Sequence, residues 1–152
     1  MRKEWMVSIL FLLLLYLGCS EGKGPSKIFN PNGDSELALL MRDMYDDGMI
    51  TKEEMLQGKQ PEVRVKYHQM HTAKATEPEK VATPNYNAFA LAYEDAVKSF
   101  LESDASHRVE TYQSMINSCM NCHQTMCPGP TRKIKHLFLS EAEIVTVTKK
   151  AE

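Results

Sequence analysis

The chain has 152 residues, 43% of them hydrophobic, which suits one domain with a core of its own. Eighteen basic residues stand against twenty acidic ones, a net charge of -2, so there is no basic excess of the kind a nucleic-acid binder needs. Ten methionines are many for this length, and methionine serves as adaptable packing or as a soft metal ligand.

Residues 1–18 read as an export signal of the lipoprotein type. Arg2 and Lys3 precede an apolar run, Trp5 to Leu17, that includes Leu12, Leu13, Leu14 and Leu15. At about 13 residues the run falls short of the roughly 20 that span a bilayer. An uncleaved membrane anchor is the other reading. Gly18-Cys19 resembles the end of a bacterial lipobox, where cleavage leaves a cysteine first and lipid is added to it. Tyr16 and Leu17 depart from the usual residues of that pattern. Cys19 is therefore the expected lipidation site, with plain secretion as the alternative. Acyl chains hold a membrane at ~0.8 kcal/mol per buried methylene, so two or three suffice. Residues 19–33, rich in Gly, Pro, Asn and Ser, read as a tether; Ile28 and Phe29 would also allow an ordered arm.

A first helix is expected from Asp34-Ser35, with Leu37, Leu40, Met41 and Met44 at helical spacing. Asp46-Asp47-Gly48 weakens or ends it, and Thr51 with Glu54 forms a capping-box pattern for a resumed turn. Pro61 opens a second helix to about Ala75, with a thin stripe of Val63, Tyr67 and Met70. His68 and His71 sit on it at i and i+3, as partly exposed residues or as a metal-binding pair. A third helix, from about Asn85 to Leu101, carries a strong apolar face that includes Phe89, Tyr93, Val97 and Phe100. On a fourth, Val109, Tyr112, Ile116, Cys119 and His123 follow one another at steps of three and four, an inward stripe. Pro128-Gly129-Pro130 stops it. His107 and His136 read as surface or cap residues. Residues 131–152 form an extension with an apolar patch, Leu137 to Leu139, and a frayed charged end; "EIVTVT", 143 to 148, is the longest strand-like run. Four helices over residues 34–130 suggest an all-α antiparallel four-helix bundle.

The fourth helix holds the motif "CMNCH", Cys119 to His123, the C-x-x-C-H pattern of c-type haem attachment. Cysteines at i and i+3 share one helical turn, so both thiols can form thioethers along one porphyrin edge. His123, at i+4 from Cys119, can reach the iron as proximal ligand. Export agrees with this, because thioether haem assembly takes place outside the cytoplasm. No second cysteine pair exists to complete a four-sulfur zinc site, and a thioredoxin-like redox pair would need a preceding strand. Regular helix geometry also makes an all-disulfide framework through Cys119 and Cys122 difficult.

An attachment motif on the last helix of a four-helix bundle resembles the class II c-type cytochromes, the cytochrome c′ and cytochrome c-556 family. The resemblance covers roughly residues 35 to 126. It implies one covalent haem c and, for the c-556 type, a distal methionine from the first helix. "LLMRDM", 39 to 44, resembles that stretch, with Met41 the expected ligand and Met44 the reserve. Met115, Met120 and Met126 share the helix of His123 and cannot reach the opposite haem face. A ligand from His68 or His71, or an open distal side, remains the other possibility. Arg42 could pair with a haem propionate or stay solvated. Cys127, Pro128-Gly129-Pro130 and the long extension depart from the family; Cys127 could join two chains in a homodimer, stay free, or be buried.

The resemblance implies a one-electron carrier rather than an enzyme, working with redox proteins in the periplasm or outer cell envelope. The acidic balance favours basic partners. The alternative is a five-coordinate, c′-like protein that binds NO or CO, and a third class is a haem-free zinc or disulfide structural protein.

Overall fold

The computed structural model describes residues 35–151, which form an all-α fold with no strand among them. The expected signal (1–18), the lipidation site Cys19 and the tether (19–33) lie outside the described residues.

Helix α1 spans Glu36–Gln57. Ser35 caps it by accepting the Ala38 N–H at 3.2 Å, and Gly58 closes it at φ 73°, a left-handed turn that glycine adopts without a Cβ clash. It runs unbroken through Asp46-Asp47-Gly48, where a break was expected. Burial explains the difference. A Cβ at Gly48 would lie 3.1 Å from a Leu137 methyl, so this glycine serves a close approach rather than a turn. Asp47, also buried, turns one carboxylate oxygen to the N–H groups of Arg64 (2.8 Å) and Val65 (3.2 Å). Thr51 Oγ1 lies 2.9 Å from both the Asp47 and the Glu62 carbonyls and donates its one proton to either.

Those contacts hold the stretch from 61 to 65 against α1 without helical turns, so the helix expected over 61–75 does not form; the chain turns at Lys66 and a 3-10 turn, Tyr67–His71, follows instead. Pro61 is buried and Val63, Val65 and Tyr67 are half-buried, while Glu62, Arg64 and Lys66 are exposed. That is a period of two, the signature of extended chain, and β-branched Val63 and Val65 favour it. After the one-turn helix α2 (Pro78–Val81) comes α3 (Pro84–Glu102), with Thr83 as its cap and Pro84 in its first turn. Its buried face is Tyr86, Ala90, Tyr93, Val97 and Phe100, which keeps Tyr93, Val97 and Phe100 of the stripe expected, while Phe89 is half-buried and Leu101 is 42% exposed. Helix α4 (Arg108–Met126) packs back along α3, with Phe100 and Tyr112 edge to face at 5.6 Å between ring centres.

The segment from residue 131 is part of the core, not a frayed extension. Helix α5 (Thr131–Ile134), a 3-10 turn (Lys135–Leu137) and α6 (Glu141–Ala151) bury Ile134, Leu137, Leu139 and Val147. The strand-like run falls inside α6, started by a capping box: Ser140 Oγ lies 3.4 Å from the Glu143 N–H, and the Glu143 carboxylate accepts the Ser140 N–H at 2.7 Å. That backbone hydrogen bond is also the main reason the Glu143 carboxyl titrates below its ordinary value. Lys52, buried on α1, donates to the carbonyls of His136 (3.1 Å) and Phe138 (2.8 Å) and pairs with Glu143 at 3.1 Å. Tyr112 Oη donates to the Leu137 carbonyl at 2.8 Å. Gln113 brackets Leu139, accepting its N–H at 3.2 Å and donating to its carbonyl at 3.3 Å. No helix among the described residues is long and apolar enough to cross a membrane.

Candidate functional site

The last turns of α4 carry Cys119, Cys122 and His123. The helix ends because Cys127 leaves helical geometry and Pro128 has no N–H to continue it. This break has a chemical result. The Cys127 carbonyl turns back toward the helix and lies 3.1 Å from His123 Nδ1. A carbonyl only accepts, so Nδ1 carries the proton, and in the neutral ring the lone pair sits on Nε2. Burial pushes the His123 pKa down, only partly offset by that hydrogen bond, so the ring is neutral at neutral pH. A neutral imidazole whose other nitrogen is tied to a carbonyl is in the state a metal ligand requires. The sequence reading assigned Cys127 by its thiol alone. The residue contributes through its backbone, and the signal was the proline after it.

Cys119 Sγ lies 3.5 Å from the Met115 carbonyl, a thiol-to-carbonyl contact one turn back. Burial, with Cys122 nearby, pushes the Cys119 thiol up to about 12; burial, with Cys127 nearby, raises Cys122 as well. Both sulfurs are therefore thiols, and neither acts as a free thiolate nucleophile. In protein made without haem ligation, iodoacetamide at pH 8 should modify Cys119 at least about ten-fold more slowly than Cys122, read by peptide mass mapping over time.

A cavity of about 50 Å³ lies against this helix. Cys119 and His123 of α4, Met41 and Met44 of α1, Tyr93 of α3, and Leu137 all line it. The two methionines singled out in the first helix thus share a wall with the histidine singled out in the last. Cys122 is not on that wall; it stands round the helix, on the side that influences Tyr86. Burial raises the Tyr93 hydroxyl pKa well above 10, so this phenol is neutral.

The other histidines are elsewhere. His68 Nδ1 and His71 Nε2 both approach one oxygen of Glu94, at 2.8 and 3.2 Å, which couples the 3-10 turn to α3. Glu94 carried no sequence signal, because its partners come from another segment. His107 pairs with Asp104 at 3.0 Å ahead of α4. Among the described residues no group of three or more His, Cys, Asp or Glu side chains is arranged to hold a metal ion by itself.

The donor set fits a covalently attached haem: two cysteines three residues apart, a neutral histidine oriented through Nδ1, and methionine sulfurs from a second helix on the same cavity. The volume is the constraint. Cofactor sites run to about 300–1,000 Å³, several times this cavity, so a porphyrin requires wall side chains to move aside. No family model, no curated protein and no solved structure matches this chain.

Proposed function

We propose that the chain is a monohaem c-type cytochrome of the class II kind, a carrier of single electrons and not an enzyme. Cys119 and Cys122 are its thioether anchors, His123 its proximal ligand and Met41 its distal ligand, with Met44 in reserve. In this reading the haem is held among α1, α3 and α4, whose residues line the cavity. The observation that carries this reading is the convergence of Met41, Met44, Cys119 and His123 on one cavity from two helices far apart in sequence.

When bound, the haem supplies reversible one-electron exchange at iron. The chain's own residues set the terms of that exchange. The Cys127 carbonyl holds His123 by Nδ1 and leaves Nε2 available. Met115 and Ile116 of α4 line the same cavity as the histidine and are 2% exposed or less, which limits the approach of water from that side. The net charge of -2, together with haem propionates, would favour redox partners with basic patches. In this reading residues 1–18 direct export, and lipid on Cys19 holds the domain at the cell envelope through residues 19–33.

The test is the mass of protein matured by the native export and ligation pathway. The expected result is one tetrapyrrole mass added to the processed polypeptide, surviving a denaturing gel. Conversion of Cys119 and Cys122 to alanine should remove it.

A further inference from the structure

The cavity of about 50 Å³ gathers soft donors from two helices: Met41 and Met44 of α1, Cys119 and His123 of α4. The pair on α1 is three residues apart and the pair on α4 four apart. Both spacings set two side chains on one helical face. Such pairs on separate helices are how helical cores build metal sites. All four residues are half-buried, so the wall they form is within reach from solvent.

The donors left over fix the class of ion. His123 Nδ1 is tied to the Cys127 carbonyl at 3.1 Å, and Nε2 keeps its lone pair. The Met41 and Met44 thioethers are soft and neutral, and Cys119 adds a sulfur that becomes anionic when its proton leaves. Asp47, the carboxylate on that wall, is already engaged: it accepts the N–H groups of Arg64 and Val65 and faces the Arg64 guanidinium at 3.8 Å. Cys122 is not on the wall, so Cys119 is its single thiol. One thiolate neutralises a monovalent ion. It would leave a divalent ion with net charge beside Val63, Ile116, Ile134 and Leu137, an apolar surrounding in which charge is costly. Thioether, thiolate and imidazole together select the soft cuprous ion. The volume agrees. One water needs about 10–15 Å³ of such space, so a cavity of about 50 Å³ receives a single ion with its walls where they stand.

We propose that the chain, before any haem is attached, binds one cuprous ion in this cavity through Met41, Met44, Cys119 and His123. Copper(I) bonds to the Cys119 sulfur, the thiol proton passes to water, and no electron moves. The site goes beyond the haem reading and competes with it, since Cys119 and His123 serve in both.

The experiment titrates the full chain, produced without haem ligation and kept reduced, with copper(I) against the chelator bicinchoninate. One equivalent is expected to bind, with sulfur and one nitrogen around copper in the X-ray absorption spectrum. Met41→Leu and Met44→Leu nearly keep volume and shape, so the fold tolerates them. Each should weaken binding by at least the roughly ten-fold that loss of a ligand's support costs, and the double variant by more. Met49→Leu, on an exposed methionine of α1, and Cys127→Ala should bind as wild type does. Wild type that takes up no copper(I) overturns the proposal. So does a double methionine variant that holds it as tightly as wild type, which marks a plain thiol site. Native maturation is scored separately. Tetrapyrrole mass with no copper(I) uptake in the haem-free chain overturns this site alone. Copper(I) uptake in a chain that never acquires tetrapyrrole overturns the haem reading alone.

Discussion

Deleting residues 131–152 is expected to abolish cooperative folding of the domain. The deletion removes Ile134, Leu137, Leu139 and Val147 from the core, each 6% exposed or less. Burying one such side chain is worth about 1.5–3 kcal/mol, and a domain's whole stability is about 5–15 kcal/mol. The loss of four is therefore comparable to everything the fold has. It also strands polar groups. Lys52 would keep its buried charge and lose two carbonyls and Glu143 together, and Tyr112 and Gln113 would lose their partners. Leu137→Ala isolates the apolar part, and its expected cost is about 2–5 kcal/mol. Thermal and denaturant unfolding followed by far-ultraviolet circular dichroism checks both. A truncated chain that melts cooperatively near the full-length midpoint would show that the segment only decorates the fold.

Replacing the axial candidates should separate attachment from ligation. His123→Ala is expected to keep the tetrapyrrole mass wherever both thioethers form, and to lose the spectrum of a histidine-ligated iron. Met41→Ala is expected to keep both the mass and the proximal histidine, to convert the spectrum to that of a five-coordinate iron, and to lower the reduction potential, since methionine ligation raises it. Met44→Ala should change packing and leave the spectrum as it was. Methionine is excluded as the sixth ligand if Met41→Ala, Met44→Ala and the double variant all retain the wild-type spectrum, and the c′-like gas-binding reading then takes its place.

Much of the site was legible because its parts are local. Cys119, Cys122 and His123 declare themselves by spacing within one helical turn, and the steps of three and four along α4 give the inward direction. Met41 came from the resemblance; that it shares a cavity wall with His123 is a juxtaposition of α1 and α4 that no periodicity could supply. What was misread depended on distant partners. Asp47-Gly48 has the composition of a helix end, but Asp47 serves the amides at 64 and 65, and Gly48 makes room for Leu137. The alternation of Pro61, Val63, Val65 and Tyr67 was visible, yet Pro61 as a helix starter outweighed it. The reverse error fell on 143–148, where alternating Val and Thr looked extended while the capping box of Ser140 and Glu143 went unread. Glu94 carries no pattern, since what distinguishes it is its two histidine neighbours from another element.

The grip of Lys52 on the carbonyls at 136 and 138 joins positions 84 and 86 residues apart. A polypeptide delivered from its N-terminal side presents Cys119 and His123 before Leu137 arrives to complete the wall they share. The order of emergence thus creates an interval in which Cys119 is more open, and it ends when the tail seats. A modifying enzyme acting on Cys119 would work on a nascent, half-assembled substrate, and slow tail docking would lengthen its opportunity.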